Sequence, residues 1–585
     1  MTGPNERRGR AAAPAAAGGG RFGSWAVGLL LCLVTTAAYW PVFHDGFVWD
    51  DDHFLTQNPL IRASDGLAQF WFSARATDYW PVTSSSLWME WRWWGLNATG
   101  YHATNLLLHL VSVLLLWAGL RRLRVPGAAF AALLFAVHPV NVESVAWITQ
   151  RKNLLALIFF LLALLGFMAA EGSDEAPTRP ARLRSACWYG CSLLAFALAM
   201  LSKGSVAMLP VLLVAWIAGR RPLRWRDAGR VLPFFLIAGI LTGVDIWFQR
   251  HGTDEIIRRA GGAERVLGAG TVAWFYLGKA LLPVRLAFCY PQWPLHPGEI
   301  TGWLPGIAAL AVGAALFSFP AGRPLRLALG YFVLMLVPGM GLTDVYFMKY
   351  SLVADHYQQL ALIGIVALAG FGWESWRRAT AGRPPWGRAL PYAAALLVVA
   401  GCGRLTWRQC GIYRDRETLF RAAIAANPGC WMAENNLGLD LVNGGRYAEA
   451  LGHCQAAVRL HPEFSEAHNN LGIARAGLGQ LPLAVEQFQA AIRLKPNYPQ
   501  AYNNLGNTFR LAGKLPEALQ AYARALALWP DYAEGHNNLG VALMDLGRLP
   551  EAIAQLRQAL RIAPDYVAAQ ENLDLALRKA TPAQP

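Results

Sequence analysis

Apolar segments restrict the fold of this 585-residue chain more than any other feature. They are roughly 15–20 residues long, the length that a helix needs to cross a bilayer, and a spanning backbone must satisfy its own hydrogen bonds. The segments lie near residues 24–42, 104–120, 126–137, 153–170, 185–201, 205–219, 231–247, 270–288, 303–319, 327–342, 357–373 and 388–405. We therefore expect an all-α polytopic membrane bundle over residues 23–412, preceded by a disordered cytoplasmic tail at 1–22.

The charge distribution orients this bundle. Of the net charge of +15, all falls in residues 1–412, because residues 413–585 contain 16 basic and 16 acidic side chains. The Arg clusters follow apolar segments, as in cytoplasmic loops, and neither a basic amphipathic helix nor a basic-aromatic stripe indicates nucleic-acid binding. If segment 270–288 re-enters the membrane without crossing, about 11 spans place every cluster inside and residues 413–585 outside.

Two further compositional features bear on the compartment and on the cysteines. The high Arg content and the scarcity of Lys indicate a GC-rich bacterial genome, so we expect the bacterial inner membrane. The eight cysteines show neither a disulfide framework nor a zinc-binding spacing.

A second pattern begins after residue 412. Pro428, Pro462, Pro496, Pro530 and Pro564 are spaced by 34 residues, and the sequence Asn-Asn-Leu-Gly recurs at the same interval. This period is typical of the helix-turn-helix tetratricopeptide repeat (TPR). We expect a TPR α-solenoid over 413–585, with four full repeats at 431–566, a partial helix before them and a capping helix after them.

The second Asn of each pair is a candidate for peptide binding. An Asn side chain offers a donor and an acceptor, which suit an extended peptide backbone of any sequence. The spacing resembles the asparagine ladder of O-GlcNAc-transferase TPRs. The candidates are Asn436, Asn470, Asn504 and Asn538. The alternative is that these amides bond between repeats and bind no ligand.

The predicted topology collects unusual polar residues on the outer side. The first outer loop, 43–103, contains Asp50, Asp51 and Asp52, and later outer segments contain further charged and aromatic groups. These are His102, His138, Glu143, Arg151, Lys152, Lys203, Asp355, His356 and Tyr357. Because charge near a bilayer is costly, their grouping on one side favours a functional polar cavity over ordinary solvated loops.

Several of these residues lie in longer motifs. They are Phe47-Val48-Trp49-Asp50-Asp51, Tyr79-Trp80-Pro81-Val82-Thr83, Tyr101-His102-Ala103-Thr104-Asn105, the run 138–147 that begins His138-Pro139-Val140-Asn141, and Val353-Ala354-Asp355-His356-Tyr357. Together they resemble the bacterial relatives of the transmembrane-and-TPR O-mannosyltransferases, the TMTC family. The resemblance runs from about residue 40 to the C-terminus.

This resemblance implies a GT-C glycosyltransferase fold with an extracytoplasmic active site and a polyprenyl-phosphate-linked sugar as donor. It also implies that an acid of the first loop is the general base, a role that falls to Asp50 or Asp51, with Asp52 as a third acid nearby. The chain departs from the family at two positions. Relatives often have Asp at the position of Asn153 and Glu or Pro at the position of Gly204.

The chemistry of sugar transfer assigns the same residues from first principles. A carboxylate must activate the acceptor hydroxyl, and Asp50, Asp51 and Glu143 are the candidates. Cations must stabilise the departing phosphate, and Arg151, Lys152 and Lys203 could do so. The substrate-binding candidates are His102, His138, Asp355, His356 and Tyr357. No metal-ligand spacing is specific, so we favour packing or hydrogen bonding for the histidines over a divalent metal, and no cofactor is assigned.

Three functions follow. The first is a membrane glycosyltransferase that moves a mannose-like sugar to a hydroxyl of a polypeptide, with the TPRs binding the acceptor or a partner. The second is a non-enzymatic membrane-anchored TPR scaffold, and the third is a GT-C transferase acting on a glycan or lipid.

Overall fold

The computed structural model describes residues 21–76, 78–171, 179–251, 257–318 and 322–580, so residues 1–20 of the predicted tail lie outside it. Within these ranges the regular structure is helical and contains no strand, as the all-α prediction expects.

Helices coincide with every predicted apolar segment. In chain order they are α1 Arg21–Ala38, α2 Pro59–Arg62, α3 Gly66–Phe72, α4 Pro81–Trp94, α5 Ala98–Arg122, α6 Ala128–Ala136, α7 Val142–Ala146, α8 Arg151–Ala170, α9 Arg179–Ser202, α10 Leu209–Ala218, α11 Trp225–His251, α12 Gly262–Leu281, α13 Ile300–Ser318, α14 Arg323–Leu336, α15 Gln359–Ala379 and α16 Pro385–Cys410. Each apolar segment of the sequence therefore corresponds to a helix of the structure.

Within the described ranges, six helices are long and apolar enough to cross a bilayer, namely α5, α8, α9, α11, α15 and α16 with their short flanking turns. The pair α6 and α7 would form a seventh span, bent by 50° at its break. The number of about 11 spans and the re-entry of 270–288 stay predictions. In that region α12 ends at Leu281, where Lys279 Nζ donates to the carbonyl oxygens of Val284 and Arg285.

Residues 43–103, predicted as the first outer loop, are themselves folded, since they contain α2, α3, α4 and the first turn of α5. Asn58 and Asn97 cap α2 and α5 by accepting hydrogen bonds from the backbone N–H groups of Leu60 and Thr99. Arg92 of α4 stacks on Trp88 and donates to backbone carbonyls beside α2. The contacts of Arg92 hold α4 against α2 within the loop.

The second half is a series of helix pairs. Its helices are α17 Arg416–Ala426, α18 Trp431–Asn443, α19 Tyr447–Leu460, α20 Ser465–Gly477, α21 Leu481–Leu494, α22 Pro499–Leu511, α23 Leu515–Leu528, α24 Ala533–Asp545, α25 Leu549–Ile562 and α26 Val567–Ala580. The helices expected before and after the four repeats are present as α17 and α26.

The repeated glycine lets the two helices of a pair approach closely. In α20, an added Cβ at Gly472 would lie 2.7 Å from the Phe488 ring of α21. The repeated alanines Ala450, Ala484 and Ala518 are fully buried at the same crossings. Small residues at this spacing therefore determine how tightly each repeat packs.

We expect Gly472→Ala to destabilise the repeats by about 1–3 kcal/mol, because the new methyl group would overpack the helix pair. Gly452→Ala is the matched control, since Gly452 lies in α19 with no atom within 4 Å of an added Cβ, and it should be neutral or stabilising by up to about 1 kcal/mol. Thermal unfolding of both variants in detergent tests this. Equal melting temperatures for the two variants would contradict it.

Candidate active site

The acidic segment of the first loop is a tight turn with an unusual backbone. Trp49 has a φ of 48°, a left-handed conformation that a non-glycine residue adopts only when its surroundings enforce it. The turn is closed by the Asp51 side chain, whose Oδ2 accepts from Val48 N at 2.9 Å. Its Oδ1 accepts from Thr149 N at 3.0 Å. Both oxygens of the buried Asp51 are thus held by backbone donors.

Asp50 is placed differently. Its Oδ1 accepts hydrogen bonds from Trp147 Nε1 at 2.9 Å and from Thr149 Oγ1 at 2.8 Å. Its Oδ2 accepts none from the described residues, and the side chain is half-buried. Of the acids in this turn, Asp50 is therefore oriented on one side and open on the other.

Asp52 points toward the repeats. Its Oδ2 accepts from Arg416 Nη1 of α17 at 2.8 Å, and the same guanidinium donates to Asp440 and to the Trp49 carbonyl. The Trp49 ring packs edge-on against Phe420 of α17 at 6.2 Å. The TPR half is therefore docked on the acidic turn.

Arg151 and Lys152 are adjacent but have different surroundings. Arg151 is fully buried and pairs with Glu90 at 2.5 Å, while its Nε donates to Asn105. Lys152 Nζ makes no hydrogen bond or ion pair with the described residues and lies 4.2 Å from the centre of the Trp80 ring. Arg151 therefore joins α8 to α4 and α5. The N–H donors of the Lys152 ammonium are not used by the described residues.

A cavity lies beside Lys152 in the first loop. It is lined by Phe54, Asn58, Phe70, Ala76, Asp78, Trp80, Thr83, Ser84, Leu87, Thr149 and Lys152. Asp78 brings a further acid to this cavity, close enough for the charges of Lys152, Asp50 and Lys203 to act on it. The cavity therefore contains one acid, Asp78, one cation, Lys152, and Thr149, which also bonds to Asp50 and Asp51.

A second polar cluster lies where α7 meets the start of α15. Glu143 Oε2 accepts from His356 N at 2.9 Å and lies 3.2 Å from His356 Nδ1. Asp355 Oδ1 accepts from Tyr290 at 2.9 Å. Within the described ranges, Glu143 Oε1 and the Tyr357 hydroxyl are buried without a hydrogen-bond partner. Such groups are expensive to bury unless a ligand completes them.

The two clusters meet around Trp147 and Lys203. The Trp147 ring lies 6.1 Å from the His356 ring and 6.0 Å from Lys152 Nζ. Lys203 follows α9 and donates to Asn153 Oδ1 at 2.7 Å, with its ammonium 5.6 Å from the Tyr357 ring. The structure therefore brings together most residues that the sequence assigned to transfer.

The surroundings of the first-loop acids and of Lys203 shift the pKa values of these groups. Burial raises the pKa of Asp50, and it raises the pKa of Asp51 to about 7 with the help of the Asp50 charge. Burial also raises the pKa of Asp78 to about 6. Burial and the Lys152 ammonium lower the pKa of Lys203 well below its usual value. An anion bound near these two amines would favour their charged form and raise the pKa of Lys203 again.

His102 and His138 have structural contacts. The Nε2 atom of His102 lies 3.3 Å from the Gly46 carbonyl oxygen, and that of His138 lies 3.1 Å from the Ala280 carbonyl oxygen. Both rings are buried. In the described part of the chain, no group of three or more His, Cys, Asp or Glu could hold a metal ion.

The asparagines form a ladder between repeats. The Nδ2 atoms of Asn470 and Asn504 donate to the first Asn of the preceding repeat at 2.9 and 3.0 Å. Asn538 and Asn572 continue the pattern, whereas Asn436 has no earlier repeat to bond. The amides therefore bond between repeats, and each of these bonds uses one of the two N–H groups of the donating amide.

Several site residues were not selected from the sequence. Thr149 orients Asp50 and Asp51, and Glu90 pairs with Arg151, but neither lies in a recognisable catalytic spacing. Asp78 directly precedes the motif Tyr79-Trp80-Pro81-Val82-Thr83, so an acid beside that motif was a usable signal. Arg416 is 364 residues from Asp52, a separation that no local pattern bridges.

Comparison with known proteins finds similarity in the TPR half and over most of the chain. A family model described as tetratricopeptide repeat matches residues 413–463, 435–501 and 503–567. Protein O-mannosyl-transferase Tmtc3 of Drosophila melanogaster is 25% identical over 506 residues, covering 72% of this chain and 54% of that protein. Protein O-mannosyl-transferase TMTC4 of Mus musculus is 26% identical over 483 residues, covering 70% of this chain and 63% of that protein.

A higher identity is confined to a shorter match. Protein O-mannosyl-transferase TMTC4 of Homo sapiens is 34% identical over 189 residues, covering 27% of this chain and 25% of that protein. The chain spans less than two thirds of the length of each of these three relatives.

Apolar helices followed by a TPR solenoid that docks on an acidic loop define a TPR-bearing membrane protein. The two extended matches cover 72% and 70% of this chain. The chain is a relative of the TMTC family, the proteins named protein O-mannosyl-transferases.

We expect Arg416→Ala to loosen the docking of the TPR half, since it removes the guanidinium shared by Asp52 and Asp440. The loss should be about 1 kcal/mol, because the group is partly exposed to solvent. Spin labels on α4 and α20 would report a broader distance distribution. Arg421→Ala is the matched control, because Arg421 of α17 pairs with Glu417 and Glu449 inside the TPR half. A broadening as large in the control would argue against a specific docking contact.

Proposed function

We propose that this protein is a membrane glycosyltransferase of the GT-C type. It transfers a mannose-like sugar from a polyprenyl-phosphate donor to a hydroxyl of a polypeptide acceptor on the extracytoplasmic face of a bacterial inner membrane. The observation that carries the proposal is Asp50, which is oriented by Trp147 and Thr149 yet open at Oδ2. The names of the TMTC relatives support the same chemistry.

Asp50 is the general base in this mechanism. Its Oδ2 accepts the proton of the acceptor hydroxyl as that oxygen attacks the anomeric carbon of the donor. Asp51 has both oxygens bonded to backbone N–H groups, and Asp52 is paired with Arg416. Those two acids are better suited to shaping the turn than to accepting a proton.

Lys152 and Lys203 receive the phosphate. The bond between the anomeric carbon and the phosphate oxygen breaks as the hydroxyl attacks, so negative charge develops on the leaving group. The Lys152 ammonium is unpaired among the described residues and lies on the same cavity as Thr149. Arg151 supports this cation from α8 through its contacts with Glu90 and Asn105.

The second cluster binds the donor beside the phosphate site. Glu143 Oε1 and the Tyr357 hydroxyl are buried without partners among the described residues, and sugar hydroxyls are suitable partners for both. His356 and Asp355 hold this cluster in place. Apolar helix faces hold the polyprenyl tail.

The TPR half presents the acceptor. Its ladder amides keep one N–H each beyond the inter-repeat bond, and its first helix α17 lies against the acidic turn. A passive scaffold would not require the first-loop acids to bond to residues 147–149. A glycan or lipid acceptor would instead leave the TPRs as an assembly module, and the acceptor used in the assay separates these cases.

Asp50→Asn should lower the transfer rate by about 100-fold or more, the usual contribution of a general base. The assay uses protein reconstituted with labelled polyprenyl-phosphate mannose and either peptide, glycan or lipid acceptors. Asp65→Asn, an exposed acid of the same loop, is the control and should keep the wild-type rate. Unchanged transfer by the Asp50 variant would exclude this mechanism, and transfer to glycan or lipid alone would favour the third function.

Thr149→Val should move the acid limb of the pH profile of kcat/KM upward. Burial raises the pKa of Asp50, whereas the Thr149 hydroxyl lowers it by donating to the ionised form. Without that donor the base stays protonated to a higher pH, so the rate on the acidic side falls. A shift of about one pH unit corresponds to the loss of one charge-assisted hydrogen bond. Thr149→Ser keeps the hydroxyl and should keep the profile, and a limb that stays in place in both variants would remove Asp50 from the role of base.

A further inference from the structure

One amide holds the ammonium of Lys203, the cation that follows α9. Lys203 Nζ donates to Asn153 Oδ1, in the first turn of α8, at 2.7 Å. The backbone of the lysine is fixed as well, because its N–H continues α9 by donating to the Ala199 carbonyl at 3.0 Å. The carbonyl of the preceding Ser202 accepts from Thr83 Oγ1 at 3.1 Å. Lys203 is therefore held both at its backbone and at its tip.

The Asn153 amide is buried, and its own hydrogen bonds determine which way it faces. An ammonium can only donate, so the oxygen of the amide must point at Lys203. The Nδ2 atom of Asn153 donates to Gln150 Oε1 at 2.8 Å and to Ser144 Oγ at 3.3 Å. Gln150 and Ser144 are also buried, with 2% and 0% of their surfaces exposed. Asn153 is therefore a fixed acceptor that two buried partners orient.

This acceptor carries no charge, which distinguishes Lys203 from the neighbouring cation of α8. The Arg151 guanidinium is paired with the Glu90 carboxylate at 2.5 Å. Within the described ranges, Lys203 forms no ion pair with a carboxylate, and the charges of Glu143 and Asp78 act on it from a greater distance. The amide therefore fixes the ammonium of Lys203 without neutralising it.

We propose that Asn153 is a positioning residue for the phosphate of the donor and acts through Lys203. The proposal rests on the proposed function, in which Lys152 and Lys203 receive that phosphate. A carboxylate in place of the amide would hold the ammonium equally well, but it would neutralise the ammonium and repel the phosphate. The neutral acceptor instead keeps the charge of Lys203 available to the anion. Asn153 thereby favours negatively charged lipid ligands.

Asn153→Asp changes the charge at this position with little change in shape. The new carboxylate has the size of the amide and can pair with Lys203 through the same oxygen position. Its second oxygen needs donors, which Gln150 can supply by turning its amide and Ser144 by rotating its hydroxyl. We therefore expect the variant to fold, with a melting temperature close to that of the wild type.

The test compares three lipid ligands with the same polyprenyl chain, namely the free alcohol, polyprenyl-phosphate mannose and polyprenyl phosphate. At about pH 7 they carry no charge, one negative charge and nearly two negative charges. Dissociation constants are measured by microscale thermophoresis with the full-length protein in detergent. Asn153→Asp should keep the affinity for the alcohol and weaken phosphate binding by about 10-fold per unit of ligand charge. A loss of packing would instead weaken the binding of all three ligands alike.

Asn97→Asp is the matched control for the added charge. Asn97 is an exposed residue of the predicted first outer loop, and Asp retains its acceptor role at the start of α5. This variant should keep the wild-type affinity for all three ligands. Asn153→Ala removes the acceptor without adding a charge, so the ammonium of Lys203 loses its position but not its charge. Phosphate binding should then fall by about 3-fold, the value of one hydrogen bond.

The outcomes separate the role of Asn153 from the proposed function. If the wild type prefers the phosphates to the alcohol and Asn153→Asp retains that preference in full, only the role of Asn153 is rejected. If the Asp variant does not fold, unchanged phosphate binding by Asn153→Ala rejects that role instead. If the wild type binds the alcohol as tightly as both phosphates, the phosphate site at Lys152 and Lys203 is rejected, and the role of Asn153 with it.

Discussion

The hydrogen bonds from residues 147–149 to two neighbouring carboxylates are the contacts on which the rest of the site depends. Asp50 and Asp51 carry adjacent charges in a half-buried turn, so the turn is stable only if fixed donors compensate them. Trp147 and Thr149 supply these donors from the segment that leads into α8. The same segment places Lys152 beside the acids. One set of bonds therefore positions the proposed base, Asp50, and the cation Lys152 together.

The TPR half completes the turn rather than hanging from the membrane half as a separate module. Trp49 is held in a left-handed conformation, and both its carbonyl and its ring contact α17, through Arg416 and Phe420. Because the strained residue directly precedes Asp50, any movement of α17 acts on the backbone that carries Asp50. In the proposed function, this coupling would link acceptor binding by the repeats to the geometry of sugar transfer.

Local patterns predicted the helices but not their long-range contacts. Apolar runs and the 34-residue period located both halves, because each reflects burial along a single helix or repeat. The pairing of Arg416 with Asp52 depends on how distant segments pack. Likewise, nothing in the sequence of 43–103 distinguished an open loop from the folded helices α2–α4. The asparagine pattern was visible, yet only packing decides which amide bonds to which repeat.

The difference between Arg151 and Lys152 shows why residue type alone does not assign a role. Arginine is the better bidentate partner for phosphate, which favours Arg151 on chemical grounds. Its fork is already filled by Glu90 and Asn105, and it is fully buried. Removing such a guanidinium from its carboxylate would leave a buried charge unpaired, at a cost of about 3–5 kcal/mol. Lys152, whose ammonium lies over aromatic rings and makes no hydrogen bond or ion pair with the described residues, has no such bond to break when an anion arrives. Lysine is the weaker phosphate ligand by residue type, but Lys152 is better placed than Arg151 to bind an anion.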